Sequence, residues 1–241
     1  AKKKKVPRIF IHSHTSGNDC ENPVKRMIFD SIHKFCRLSL YRAATEYYGC
    51  SEKAGLWMFP EKIVKSDRFQ MIFNAVDLKK FTYSSAVRDD VRKELNLENK
   101  FVVGHVGNFV YQKNHYFLID IFEELKRKCP EAVLLLLGRG ERFETVEKRI
   151  KEKGLEDSVR LLGFRKDPDR LFQAMDFFLL PSYFEGLPTV GVEAQCTGLP
   201  SLMSDTITTE VKITENCWFL PLKEKPEVWA DFILKHRETD R

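Results

Sequence analysis

From Phe101 onward, short apolar runs alternate with longer amphipathic stretches. A strand with one wet face alternates apolar and polar residues, but Val133-Leu134-Leu135-Leu136-Leu137 has no polar position. Such a run suits a strand covered on both faces, as in a parallel sheet flanked by helices. The mainly apolar runs are Phe101–Val106, Ala132–Leu137, Val159–Leu162, Phe177–Leu180, Leu199–Met203 and Cys217–Leu220. The stretches between and after them predict helices over Asn114–Cys129, Arg142–Lys153, Asp169–Ala174, Pro188–Thr197 and Pro226–His236. This part of the chain reads as α/β, a doubly wound parallel sheet.

The first hundred residues differ. Arg8–Ile11, Tyr47–Ser51 and Met71–Phe73 read as strands, and Val24–Tyr48 as a long helix with an apolar stripe at Met27, Ile28, Ile32, Phe35 and Leu38. Val87–Leu95 predicts a short helix. Two or three strands with so few helices make a poor core. We expect residues 1–74 to be the remnant of a second α/β domain, 75–100 a linker, and 101–241 the doubly wound domain.

Composition narrows the function classes. The 241 residues contain no apolar stretch long enough to span a bilayer. The net charge of +5 suits anionic ligands but is too dispersed to argue for nucleic acid. The one dense basic run, Lys2 to Lys5, reads as a solvated helix end or a membrane-surface contact. The six cysteines stand singly, without metal-ligand spacing, which fits reduced thiols and a cytoplasmic location, at the inner face of the membrane if that contact is made.

If the six strands take the common order 3-2-1-4-5-6, ligands bind outside the carboxyl ends of strands one and four. The loops there are residues 107–113 and 181–187, the two richest in glycine and polar groups. Gly186 permits a tight turn and Pro188 suits the first position of a helix. Free amides around Leu187 to Val190 would then form an anion site to which Lys113 adds charge. The same residues also suit an ordinary strand-to-helix turn with a surface lysine. Glu185 and Glu193 could accept hydrogen bonds from paired sugar hydroxyls, and a carboxylate among Val190, Gly191, Val192 and Ala194 needs a partner. Asp167-Pro168-Asp169 spells a metal-binding pattern, but its place before a helix predicts Asp167 as cap and Pro168 as first helical residue.

Glu185-Gly186-Leu187-Pro188 with Glu193-Ala194 resembles the E-G-x-P-x-x-x-x-E-A signature of family 4 retaining glycosyltransferases, bacterial capsular or exopolysaccharide enzymes above all. Gly107-Asn108-Phe109 with Gln112-Lys113-Asn114 resembles that family's first donor loop, Phe73-Asn74-Ala75-Val76-Asp77 its linker entry, and Leu162-Gly163-Phe164-Arg165 its third-strand loop. The resemblance implies a GT-B fold, with a Rossmann-like donor-binding half and the remnant of an acceptor-side domain. It implies transfer of a hexose-type sugar from a nucleotide diphosphate sugar, UDP-sugar favoured, to a polysaccharide or lipid-linked glycan. It implies no cofactor, no required metal and no nucleic-acid partner.

By the same resemblance, Glu185 supports the donor sugar and His14 reaches toward it. Gly186, Leu187 and Thr189 offer amides to sugar and phosphate. Lys113 holds the diphosphate, with Gly107 and Asn108 as donor-binding residues of the same loop; Glu193 clamps the ribose, and Arg165 lies near the base. Asn108 stands where the family usually has Arg, which removes one charge-assisted phosphate contact. The family's early acceptor-side strands and its final returning helix are not matched. A fragment that binds donor without catalysis is therefore the competing reading for this chain, with self-association through apolar surface on residues 1–70. An epimerase on the same fold is disfavoured by the paired glutamates. A dehydrogenase is disfavoured because no G-x-G-x-x-G follows strand one, and Gly138-Arg139-Gly140 is a lone Gly-x-Gly turn.

Overall fold

The computed structural model describes residues 6–239, so the Lys2–Lys5 run lies outside the described residues. The chain forms two compact units. The first comprises residues up to Ala75 with Phe184–Pro188 and Ile207–Glu210, and the second comprises Val76–Tyr183, Thr189–Thr206 and the rest.

In the first unit, β1 (Phe10–Ser13), α1 (Pro23–Ala43), β2 (Glu46–Gly49), α2 (Glu52–Met58), α3 (Glu61–Val64) and β3 (Phe69–Met71) follow in order. The strands form a parallel sheet β1-β2-β3, in which Ser13 pairs with Gly49. The Asn22 side chain accepts from the amides of Val24 and Lys25 and Pro23 opens the helix, so α1 starts where its cap dictates. Its apolar stripe does not face this unit's core. Met27, Ile28, Ile32, Phe35 and Leu38 are between 49% and 76% exposed. The helix is held by another face: His33 stacks on Trp57 at 4.4 Å and Arg37 donates to the Phe59 carbonyl at 2.5 Å. A small core of Ala44, Tyr47, Phe59, Ile63 and Val64 fills the interior.

The second unit holds α4 (Leu78–Phe81), α5 (Ser85–Glu94), β4 (Phe101–Val106), α6 (His115–Lys128), β5 (Ala132–Leu137), α7 (Phe143–Glu152), β6 (Val159–Gly163), α8 (Pro168–Ala174), β7 (Phe177–Leu180), α9 (Thr189–Cys196), β8 (Ser201–Ser204), β9 (Cys217–Leu220) and α10 (Pro226–Lys235). The six strands are parallel in the order β6-β5-β4-β7-β8-β9, which is the 3-2-1-4-5-6 arrangement expected. Every residue of β5 and β7 is buried, as all-apolar runs require. Leu118, Phe122, Leu134, Phe177 and Trp229 belong to one continuous core. Each such side chain contributes about 1.5–3 kcal/mol by leaving water.

Residues between 76 and 100 are mostly helical and group with this unit. Arg88 and Arg92 of α5 both meet Asp176, whose second oxygen accepts from the Val102 amide at 2.7 Å. That network ties α5 to the start of the central strand. No helix of the described residues is long and apolar enough to cross a membrane.

Candidate functional site

The order of the sheet puts the loops after β4 and β7 beside the point where the winding reverses. After β4 the backbone continues its register for one residue, with Gly107 N–H donating to Leu137 O at 2.9 Å. The loop then closes in a 3-10 turn over Tyr111–Lys113, and Asn114 takes a left-handed conformation at φ +53° before α6 starts. Asparagine tolerates that conformation better than most residues.

This loop does not stand alone. Phe109 N–H donates to Arg139 O at 2.8 Å, and Arg142 N–H donates back to Phe109 O at 3.0 Å. Gly138, at φ +147°, lies so close that a Cβ there would sit 1.9 Å from Gly107 O. The Gly-Arg-Gly turn, uninformative as a motif, is the seat on which the β4 loop rests. Beneath the loop, Phe109 and His115 stack at 4.3 Å, and His105 meets His115 edge-on at 4.9 Å. Both histidines are fully buried. Burial above all pushes their pKa values down, to about 3 for His105 and about 2 for His115, so both rings are neutral.

Above the loop is a cavity of about 370 Å³. Gly107, Asn108, Lys113, Arg165, Val190 and Glu193 line it, with Val106, Leu137, Phe164 and Pro168 as apolar wall. Lys113 and the first turn of α9 therefore face one space. The ammonium and the positive end of the α9 dipole favour an anion there. Glu193, half-buried in the same wall, has its pKa raised by burial, opposed by Lys80 and reinforced by Asp169. Lys80 and Asp169 themselves stand 3.5 Å apart.

Two expectations change here. Asp167 sits at the N-cap position of α8 but its side chain makes no cap hydrogen bond. It takes the Arg165 guanidinium in a two-pronged pair at 2.8 and 2.8 Å, and Arg170 as well. The fork gives the carboxylate two parallel bonds from a full positive charge where a backbone amide would give one, which explains the exchange. Arg165 thus reaches the cavity with its charge already paired. The helix after β7 also starts one residue later than expected, at Thr189, so Pro188 precedes it.

Glu185, Gly186 and Leu187 group with the first unit, and there the structure brings them beside His14. A Cβ at Gly186 would lie 2.2 Å from His14 O and 2.9 Å from Cys50 Sγ, so only glycine fits. Ser51 Oγ donates to Gly186 O at 2.6 Å, Ser16 Oγ to Glu185 O at 2.5 Å, and Asn74 Nδ2 to Leu187 O at 2.8 Å. Glu185 is buried. His14 is exposed, directly after β1, its ring 4.0 Å from that of His12. Burial, then the neighbouring His14, lowers the His12 pKa.

The expected site residues therefore fall into two groups. Gly107, Asn108, Lys113, Arg165 and Glu193 share the cavity, while His14, Glu185, Gly186 and Leu187 share the first unit. Thr189 opens α9 without lining the cavity. Phe164, 62% exposed with the Arg139 guanidinium 5.0 Å above its ring, and the buried histidines were not anticipated. Among the described residues no group of three or more His, Cys, Asp or Glu could hold a metal ion.

A family model described as "Glycosyl transferases group 1" matches residues 87–231. The putative glycosyltransferase EpsF of Bacillus subtilis is 29% identical over 98% of this chain. A UDP-Gal:alpha-D-GlcNAc-diphosphoundecaprenol alpha-1,3-galactosyltransferase of Escherichia coli is 28% identical over 80% of it. This chain spans 61% and 51% of the lengths of those two proteins. Among solved structures, Anabaena HepE in complex with UDP and glucose matches at a TM-score of 0.79 and 21% identity, covering 96% of this chain and 62% of that one. WaaG, a glycosyltransferase involved in lipopolysaccharide biosynthesis, matches at 0.72 and 16% identity, covering 99% and 75%. At these identities the structural likeness is one of fold.

Proposed function

Because the chain belongs to the group 1 glycosyl transferases, we propose that the cavity of its second unit holds the nucleoside diphosphate of a sugar donor. The observation that carries this reading is that Lys113, Val190 and Glu193 line one cavity. An ammonium and a helix amino end suit a pyrophosphate, and a carboxylate suits the two hydroxyls of a ribose. UDP is the favoured nucleotide, since the galactosyltransferase relative uses a UDP-sugar and HepE binds UDP. A lipid-linked or polysaccharide acceptor is our extension of this reading, supported by the diphosphoundecaprenol-linked acceptor in the galactosyltransferase relative's name.

As the bond between sugar and phosphate breaks, positive charge grows on the sugar ring and negative charge on the leaving diphosphate. Lys113 and the α9 amides stabilise that leaving group, and preorganised electrostatics of this kind often contributes more to catalysis than any other effect. The resemblance to the family 4 signature favours retention of configuration, with attack from the face being vacated. On the family resemblance alone, Glu185 is the residue that would support the donor sugar and His14 the one that would reach toward it. No divalent metal is needed. Donor binding is the step we assign to the residues described, and transfer is the activity we propose for the whole protein.

Calorimetric titration of the chain with UDP, GDP and ADP tests the reading. UDP should bind most tightly, with or without EDTA. The reading fails if no nucleoside diphosphate binds. In a full-length protein, Glu185→Gln should cut transfer strongly, and unchanged turnover would remove Glu185 from the site.

A further inference from the structure

His105 is the one ionisable residue in β4, fifth in a strand otherwise made of Phe, Val and Gly. A fully buried imidazole must place both of its nitrogens. Nδ1 lies 2.9 Å from the Leu179 carbonyl oxygen of β7. A carbonyl only accepts, so Nδ1 carries the proton and Nε2 presents a bare lone pair. Among the described residues that nitrogen has no hydrogen-bond partner. A buried acceptor left so costs about 1–3 kcal/mol, which makes the placement worth explaining.

The direction of the lone pair is informative. A Cβ built on Gly107 would lie 3.2 Å from Nε2, and 2.9 and 3.1 Å from Cε and Cδ of Lys113. The bare nitrogen and the end of the lysine stem therefore flank one point, and a side chain at 107 would stand between them. The imidazole is also fixed in place, by Leu179 on one side and by the edge contact with His115 on the other. Its burial keeps it neutral, so the lone pair is present at physiological pH.

We propose that His105 is a positioning residue for Lys113: when the ligand binds, Nε2 takes one N–H of the ammonium and directs the remaining donors at the phosphate oxygens. This rests on the cavity holding a nucleoside diphosphate. A lysine head is a rotatable point charge on a flexible stem, carrying about 2 kcal/mol of rotamer entropy. A rigid acceptor behind it reduces what is lost when the ligand arrives.

The test is a double-mutant cycle on the 241-residue chain, with the Kd for UDP measured by calorimetry. The four proteins are wild type, His105→Asn, Lys113→Ala and the pair. An asparagine amide N–H still reaches Leu179 O but offers nothing where Nε2 was. His105→Asn should weaken UDP binding about three- to tenfold in the wild-type background, as for loss of one hydrogen bond. In the Lys113→Ala background it should change affinity less than about twofold, because the residue acts through the lysine. Equal losses in both backgrounds would make His105 merely structural, and no loss in either would also overturn the proposal. If His105→Asn does not fold, His105→Gln carries the test, since its longer side chain returns an acceptor near the Nε2 position. Affinity within about twofold of wild type is expected there, and a tenfold loss overturns the proposal. Failure of the wild-type chain to bind UDP sinks both this inference and the reading beneath it. Binding that depends on Lys113 and not on His105 sinks this one alone.

Discussion

Lowering the pH from 7 to 4.5 should destabilise the six-strand unit steeply, and two side chains should account for most of the loss. His105 and His115 are fully buried, and burial is the first cause of their pKa values falling to about 3 and about 2. Unfolded, both titrate near the ordinary 6.5. Between those values the unfolded chain binds more protons than the folded one, so stability present above pH 6.5 is lost as the pH falls toward 3. At pH 4.5, two units below the unfolded value, the loss is on the order of 3 kcal/mol for each histidine and roughly 5 kcal/mol for the pair. That is comparable with the entire stability of many domains, about 5–15 kcal/mol. Carboxylates held low by their partners, such as Asp167 beside Arg165, add their losses at lower pH. Urea unfolding followed by Trp218 and Trp229 fluorescence at stepped pH measures the slope. His115→Phe keeps an aromatic ring against Phe109 and should halve it. A flat stability between pH 7 and 4.5, or an unchanged slope in His115→Phe, would refute the reasoning.

Three further outcomes follow from the packing. Gly186→Ala drives a Cβ to within 2.2 Å of a backbone oxygen and should destabilise the first unit by about 1–3 kcal/mol. Amide exchange of residues 184–188 should speed up with it, and unaltered protection would contradict the account. Gly138→Ala should weaken UDP binding more than about tenfold, through the seat it provides for Gly107 and not through any ligand contact; titration with UDP checks this, and wild-type affinity would count against it. Asp176→Ala leaves Arg88 and Arg92 facing each other without their shared carboxylate. It should cost about 3 kcal/mol in urea denaturation, and a change near zero would show that the network is dispensable.

The sheet was legible because its signal is local. Val133 to Leu137 can only be a strand buried on both faces, and the strand order then follows from how such sheets are wound. That Lys113 and Glu193 line one cavity was legible because each stands at a loop or helix that the winding turns toward the same crevice. What escaped was set by contacts between residues distant in sequence. Gly138 matters because of Gly107, 31 positions earlier, and nothing around it in the chain says so. His105 sits in an apolar run and reads as an oddity until Leu179 and Lys113 are placed around it. Asp167 has the right position for a cap, but a guanidinium two residues away competes more strongly for its oxygens than a backbone amide does. The apolar stripe of α1 was readable, whereas the face by which the helix attaches depends on Trp57 and Phe59.

A structure of the chain with UDP bound tests the central claim most directly. The account predicts the pyrophosphate between Lys113 and the first turn of α9, with the ribose hydroxyls on Glu193. UDP seated elsewhere, or a pyrophosphate out of reach of Lys113, would contradict it.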